Sequence, residues 1–155
     1  MNILDEPRVL RADAGQLADV TQLLNEYFDA IGVLLRDDAA AILAFLSDPT
    51  SGLWIAYADG VAAGCVALRP LPDLSGACEC KRLYVNPQFR RRGLADALVA
   101  AMETFAGAAG YDTVYLDSKD DLHAAIALYG RLGYTDCPRY NDNPQATVFM
   151  RKALR

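Results

Sequence analysis

Apolar and polar residues change rhythm several times along the chain, and each change marks a predicted element. "RVLRADAG" begins as a short extended run and is predicted to be a first strand ending at Asp13, a residue type that caps helices. Leu17, Val20, Leu24 and Phe28 then recur at helical spacing, which predicts a helix with those side chains in the core. A second short helix is predicted over Asp38 to Leu46, before the break at Asp48-Pro49. "LWIAYADGVAAGCVALRPL" holds two extended runs on either side of Asp59-Gly60, a dipeptide suited to a tight hairpin. "ACECKRLYV" reads as a further strand, closed by Asn86-Pro87.

From Gly93 to about Ala109 the residues Leu94, Leu98, Ala101, Met102 and Phe105 form one apolar stripe, and Gly110 supplies the terminator. "DTVYLD" is a strand, "DLHAAIALYGRL" a helix ending at Gly133, and "ATVFMRKAL" a last strand. The order is strand, two helices, hairpin, strand, helix, strand, helix, strand. It predicts an α/β (α+β) fold, a mixed sheet covered by helices, with Trp54 in the core. No repeat or linker interrupts it, so residues 1–155 are expected to form a single domain.

Composition narrows the classes. With 53% hydrophobic and 23% charged residues, the chain has the makeup of a folded globular protein. A net charge of −5 argues against nucleic acid or an anionic membrane as a bulk partner and mildly favours cationic ligands such as amines. No apolar run reaches membrane-spanning length, and "MNILDEPRVLRADAG" lacks a basic start and an apolar block, so a cytoplasmic protein is expected. Cys78 and Cys80 would share a strand face, and His123 is the sole histidine. Free thiols, and no metal site, are the expectation.

Against that acidic background, "FRRRGLADAL" sets three consecutive arginines directly before the long helix. The first turn of a helix leaves backbone N–H groups unpaired and carries positive partial charge. Gly93 and the small Ala95 keep side chains away from those donors, and the arginines add charge and forked donors. The alternatives at this point are a pyrophosphate seat and a solvated turn. The stretch is neither a Walker loop, since no Gly-Lys-Ser/Thr follows, nor a dinucleotide fingerprint, since the spaced glycines are missing.

The neighbouring motifs decide between them. "RRRGLA", Arg90 to Ala95, resembles the Gln/Arg-x-x-Gly-x-Gly/Ala pattern of the GNAT N-acetyltransferase superfamily, and it follows a strand as in that family. "AIALYGRLGY", Ala125 to Tyr134, resembles the family's Leu-Tyr helix and turn, and "ADGVAAGCVAL" its second and third strands. The likeness runs from about Arg8 to Leu154. It implies a mostly antiparallel sheet splayed between the fourth and fifth strands, and acetyl-CoA (coenzyme A) as cofactor. Backbone amides among Arg90, Arg91, Arg92, Gly93, Leu94 and Ala95 would hold its pyrophosphate. Pantetheine would lie along Leu83, Tyr84 and Val85, where a bulge opens the slot. The implied reaction is acetyl transfer to a primary amine of a small molecule or peptide. A non-catalytic acyl-CoA-binding module is the alternative.

Acetyl transfer to an amine also needs a base, an acid and a donor for the thioester oxygen. An alkylamine with pKa about 10.4 is mostly protonated at neutral pH, so its proton must be removed. Glu79, eleven residues before Arg90, stands where some family members carry a glutamate base. Alternation would put it on the face of Lys81, Leu83 and Val85 unless the bulge shifts the phase. Its alternative is a structural ion pair with Lys81 or Arg82. Tyr129 aligns with the family's general acid, which protonates the departing thiolate; otherwise it is an amphipathic helix residue. The backbone N–H near Leu83 would serve the thioester oxygen.

One departure from the family pattern is Leu122, seven residues before Tyr129, where many relatives carry a cofactor-holding Asn. Ser118 or Lys119 would have to substitute. "RYNDNP" precedes the last strand, where the family borders its acceptor pocket. Arg139, Tyr140 and Asn143 would bind a carboxylate or amide there, or else form a plain polar loop. Tyr27 would border the acceptor or pack in the core, and His123 suits a surface or capping position. The acceptor itself is left open, and so is the oligomeric state, with room for a homodimer.

Overall fold

In the computed structural model, which describes residues 7–33 and 36–154, the two periodicities become one seven-stranded sheet with helices on both faces. The strands are β1 (Arg8–Arg11), β2 (Gly52–Ala58), β3 (Val61–Pro70), β4 (Ala77–Val85), β5 (Thr113–Ser118), β6 (Thr135–Asp136) and β7 (Val148–Ala153). The helices are α1 (Leu17–Ile31), α2 (Ala39–Ser47), α3 (Leu94–Ala108) and α4 (His123–Arg131). Across the sheet the order is β1-β2-β3-β4-β5-β7-β6, with β4 and β5 the only parallel neighbours among the described residues. Met1–Glu6, part of the stretch expected to lack a leader, lie outside the described residues. Among the described residues no helix is long and apolar enough to cross a membrane.

Each face of the sheet has its own core. Val20, Leu23, Leu24 and Phe28 of α1 bury against Leu53, Ile55 and Cys65. Leu94, Leu98 and Met102 of α3 pack on Val66, Leu68, Cys78 and Cys80 from the other side, joined by Tyr129 of α4. Each fully buried leucine contributes about 1.5–3 kcal/mol over its exposed state. The helices therefore form because their apolar stripes match the two sheet faces, and capping fixes their ends. Asp38 caps α2 by accepting the Ala41 N–H at 2.8 Å.

Some boundaries differ from the sequence expectation. The first strand stops at Arg11 because Asp13 caps a short 3-10 turn, accepting the Gly15 N–H at 2.8 Å, before α1 begins. α4 starts at His123, two residues after the predicted Asp121, with no side-chain cap at Leu122. β6 was not expected at all: two residues are too few to display a period.

The feature that shapes the site lies in β4. Cys65 faces Tyr84 while Ala67 faces Lys81, so two steps along β3 match three along β4. The extra residue is a bulge centred on Arg82, whose φ of 60° is rare for a residue with a side chain. It reverses the facing of everything that follows. Cys78 and Cys80 belong to the α3 core before the bulge, and Leu83 and Val85 pack against that core after it. Glu79 therefore shares a face with Lys81 but not with Leu83 and Val85, which corrects the simple alternation.

β4 and β5 pair only at Ala77↔Thr113, Cys78↔Val114 and Glu79↔Tyr115. Among the described residues their later portions form no ladder with each other. Gly64 lets the bent β4 sit close: a Cβ there would stand 2.7 Å from the Tyr84 carbonyl oxygen and 3.2 Å from Leu98 Cδ1. Because backbone cannot yield as a side chain can, Gly64→Ala should destabilise the fold by about 1–3 kcal/mol, read as a lower urea midpoint.

Candidate active site

A cleft of about 1320 Å³ opens where β4 and β5 stop pairing. One end is the start of α3. Gly93 is its N-cap with φ 77°, and Arg91 two residues earlier has φ 66°. Positive φ at these two positions turns the loop into a concave backbone, the shape that gathers N–H groups around an anion. Among the described residues, the amides of residues 91–95 donate to no protein acceptor. A side chain at Gly93 would meet no atom within 4 Å, so backbone conformation rather than crowding selects glycine there.

The three arginines divide. Arg90 and Arg91 line the cleft, Arg90 also donating from Nε to the Val85 carbonyl at 3.3 Å. Arg92 turns away: its Nη1 meets Asp59 at 3.0 Å and its guanidinium lies over the Phe89 ring. Leu94 and Ala95 line the floor beside Gly93. Asp96, also in the first turn, is paired with Arg131 at 3.0 Å.

Tyr129 reaches the cleft from α4 with only 8% of its surface exposed. Its hydroxyl has no hydrogen-bond partner among the described residues, yet no wholly buried polar side-chain atom there is unsatisfied. The hydroxyl therefore looks into the cleft. Burial, followed by Cys80, Tyr27 and Asp117, pushes it well above the ordinary tyrosine range. It holds its proton.

Glu79 does not line the cleft. It is fully buried, and each of its oxygens has two partners. Oε1 accepts from Arg69 Nε at 2.8 Å and lies 3.5 Å from Lys81 Nζ. Oε2 accepts from the Tyr140 hydroxyl at 2.7 Å and from Asn141 Nδ2 at 3.1 Å. A carboxylate has about four lone-pair positions, and three of them accept hydrogen bonds while the Lys81 ammonium stands close by. The ion pair weighed for Glu79 is present with Lys81, joined by the unforeseen Arg69, while Arg82 pairs instead with Asp37 at 3.0 Å. The "RYNDNP" loop is built onto this node. Arg139 is spent on the carbonyls of Asn141, Asn143 and Ala146, and Tyr140 on Glu79, while Asn143 lines the cleft.

Leu83, Tyr84 and Val85 form one wall, with Ser118, Lys119, Leu122 and His123 opposite. The Tyr84 ring points to the α1 side, its hydroxyl donating to Glu26 at 3.0 Å. Tyr27 also lines the cleft, edge-on to Tyr84, and burial pushes its hydroxyl up to about 12. Sequence reasoning missed three residues here: Arg69, Asn141 and Asp117. Asp117 stands at the carboxyl end of β5, where open α/β sheets place ligands, and that position was the available signal. Its Oδ2 accepts from Asn141 at 2.7 Å and Asn143 at 3.2 Å.

A helix start with open amides, a strand pair that stops pairing after Glu79 and Tyr115, and the Tyr129 phenol thus meet at one cleft. The Acetyltransferase (GNAT) family model matches residues 17–134, and the chain belongs to that family. An uncharacterized N-acetyltransferase of Schizosaccharomyces pombe is 34% identical over 142 residues, 87% of this chain and 86% of its own. N-acetyltransferase family 8 member 3 of the mouse is 35% identical over 64% of this chain, which spans about half, 46%, of that relative's length. Among solved structures, a putative acyl-CoA N-acyltransferase of Klebsiella pneumoniae superposes with TM-score 0.79 at 29% identity, covering 96% of this chain and 98% of its own. YncA, a putative acetyltransferase of Salmonella typhimurium solved with its cofactor acetyl-CoA, has the same fold: TM-score 0.77, 17% identity, 97% and 95% covered.

The Glu79 node makes a stability prediction. Glu79→Ala removes one partner from two cations and two hydrogen-bonded side chains, and should cost about 3–5 kcal/mol in a denaturant titration.

Proposed function

We propose that this chain, acting as one GNAT domain, is an acetyl-CoA-dependent N-acetyltransferase that acetylates the primary amine of a small molecule or peptide. The observation that carries this reading is the set of unpartnered amides at residues 91–95, opening into the same cleft as the Tyr129 hydroxyl. At about 1320 Å³ the cleft exceeds the roughly 300–1,000 Å³ of ordinary small-ligand sites, as an extended cofactor requires. The acetyl-CoA bound to the YncA structure, which shares this fold, supports the same choice of cofactor.

Bound acetyl-CoA supplies an activated acetyl group and a thiol leaving group. In this reading the amides of residues 91–95 hold the diphosphate, with Arg90 and Arg91 adding charge at the rim. The edge of β4 at Leu83–Val85, without a β5 partner, offers backbone groups to the pantetheine amides, and the Leu83 amide serves the thioester oxygen. Ser118 or Lys119, both lining the cleft, takes over the contact that Leu122 cannot make. Tyr129 Oη keeps its proton until the sulfur departs and then gives it up.

On the acceptor side, Tyr27, Tyr140 and Asn143 frame the amine, Tyr140 from behind through Glu79. A proton leaves the ammonium before its nitrogen attacks. Asp117, 12% exposed in the cleft, is the carboxylate placed to draw that ammonium and take the proton. Glu79, buried and held by three hydrogen bonds, acts as the fixed anion that orients Asn141 behind it. Neither nucleic acid nor membrane enters this reading. The free cysteines Cys65, Cys78, Cys80 and Cys137 fit the reducing cytoplasm.

Tyr129→Phe should lower kcat about 10- to 1,000-fold while leaving coenzyme A affinity nearly unchanged. Steady thiol release assayed over an amine panel checks this, and a non-catalytic binding module would release none. Because the Tyr129 pKa is raised, its protonated, active form persists to higher pH. Any alkaline loss of rate from this residue should therefore fall above about pH 10.

A further inference from the structure

The acceptor side carries three cations, and they are not equivalent. Arg82 is clamped by Asp37, through Nε at 3.0 Å and Nη2 at 3.2 Å, and its plane covers the Phe28 ring. Lys81 is 10% exposed and stands between Glu79 and Asp117, 3.5 Å and 3.9 Å away. Arg69 is different. It lies across the sheet from Glu79, in the cross-strand pair Arg69↔Glu79, and lines the cleft with 47% of its side chain exposed. Only its Nε is used, donating to Glu79 Oε1 at 2.8 Å. Among the described residues nothing accepts from its two η nitrogens.

The consequence is a fork with fixed aim. Glu79 is fully buried and held by Tyr140 and Asn141 on its other oxygen, so it cannot turn to follow Arg69. The guanidinium is pinned at one edge and offers the other, with two parallel N–H donors, to the cleft. Two parallel donors match the two oxygens of a carboxylate. On the same wall Asn141 Nδ2 bridges Glu79 and Asp117, so the fork and the cleft-facing carboxylate of Asp117 belong to one rigid network. A positive fork and a negative carboxylate on one wall complement a molecule that carries both charges.

We infer that Arg69 is a specificity-determining residue that binds the carboxylate of the acceptor, so that the amine acetylated belongs to an amino acid. This rests on the acetyltransferase reading and narrows its substrate class. Free monoamines and polyamines lack the group that Arg69 reads; amino acids present it beside an ammonium that Asp117 attracts.

The test is a matched panel on the native protein: L-α- and ω-amino acids, their carboxamides, and the corresponding decarboxylated amines, each assayed for thiol release with acetyl-CoA. Amino acids should be preferred at least about tenfold in kcat/KM over both counterparts. Arg69→Gln should erase that preference by raising KM for amino acids about 10- to 100-fold, with coenzyme A affinity little changed. Arg69→Lys, which keeps the charge without the fork, should fall between and serves if the glutamine variant fails to fold. Equal use of carboxylate-free amines, or a preference that survives Arg69→Gln, overturns the role of Arg69 while leaving the acetyltransferase standing. Thiol release from no amine at all, with coenzyme A bound, overturns both.

Discussion

A helix cannot satisfy the N–H groups of its own first turn, and everything in this cleft follows from where α3 leaves them. Positive φ at Arg91 and Gly93 extends the open series backward into the loop, so residues 91–95 face one concavity. Backbone donors without acceptors are tolerated only where water or a ligand reaches them. In the proposed reading a diphosphate held there would direct the remainder of the cofactor toward the part of β4 beyond Glu79 that has no β5 partner.

That edge exists because of a single inserted residue. The bulge at Arg82 bends β4, turns Leu83 and Val85 to the α3 side and sends the Tyr84 ring toward α1. The same insertion separates two kinds of chemistry. Tyr129 approaches from the α4 side, where burial keeps its hydroxyl protonated. The charged network of Arg69, Glu79, Lys81 and Asp117 occupies the opposite side, the one the proposed function gives to the acceptor.

Much of this was legible in the residues. The hairpin at Asp59-Gly60, the cap at Asp38, the stripe on α3 and the extent of β4 follow from local rules of turn, cap and period. The helix start at Gly93 was legible too, though the stretch by itself left a pyrophosphate seat and a solvated turn both open. The partners of Glu79 were not: they come from β3, β4 itself and a loop some 60 residues away, and no period encodes such meetings. The arginine run shows the same limit. Three adjacent guanidiniums look equal in sequence, yet Asp59 in the hairpin turn draws Arg92 out of the cleft. β6 escaped notice because two residues carry no rhythm.

The claim on which the rest stands is that the α3 amides hold a diphosphate. Calorimetric titration of the native protein with coenzyme A and, separately, with pantetheine tests it most directly, because the two share a thiol arm and differ in the nucleotide end that carries the diphosphate. Binding of coenzyme A about 100-fold or more tighter than pantetheine is the predicted result. Equal affinities, or no heat with coenzyme A, would contradict it.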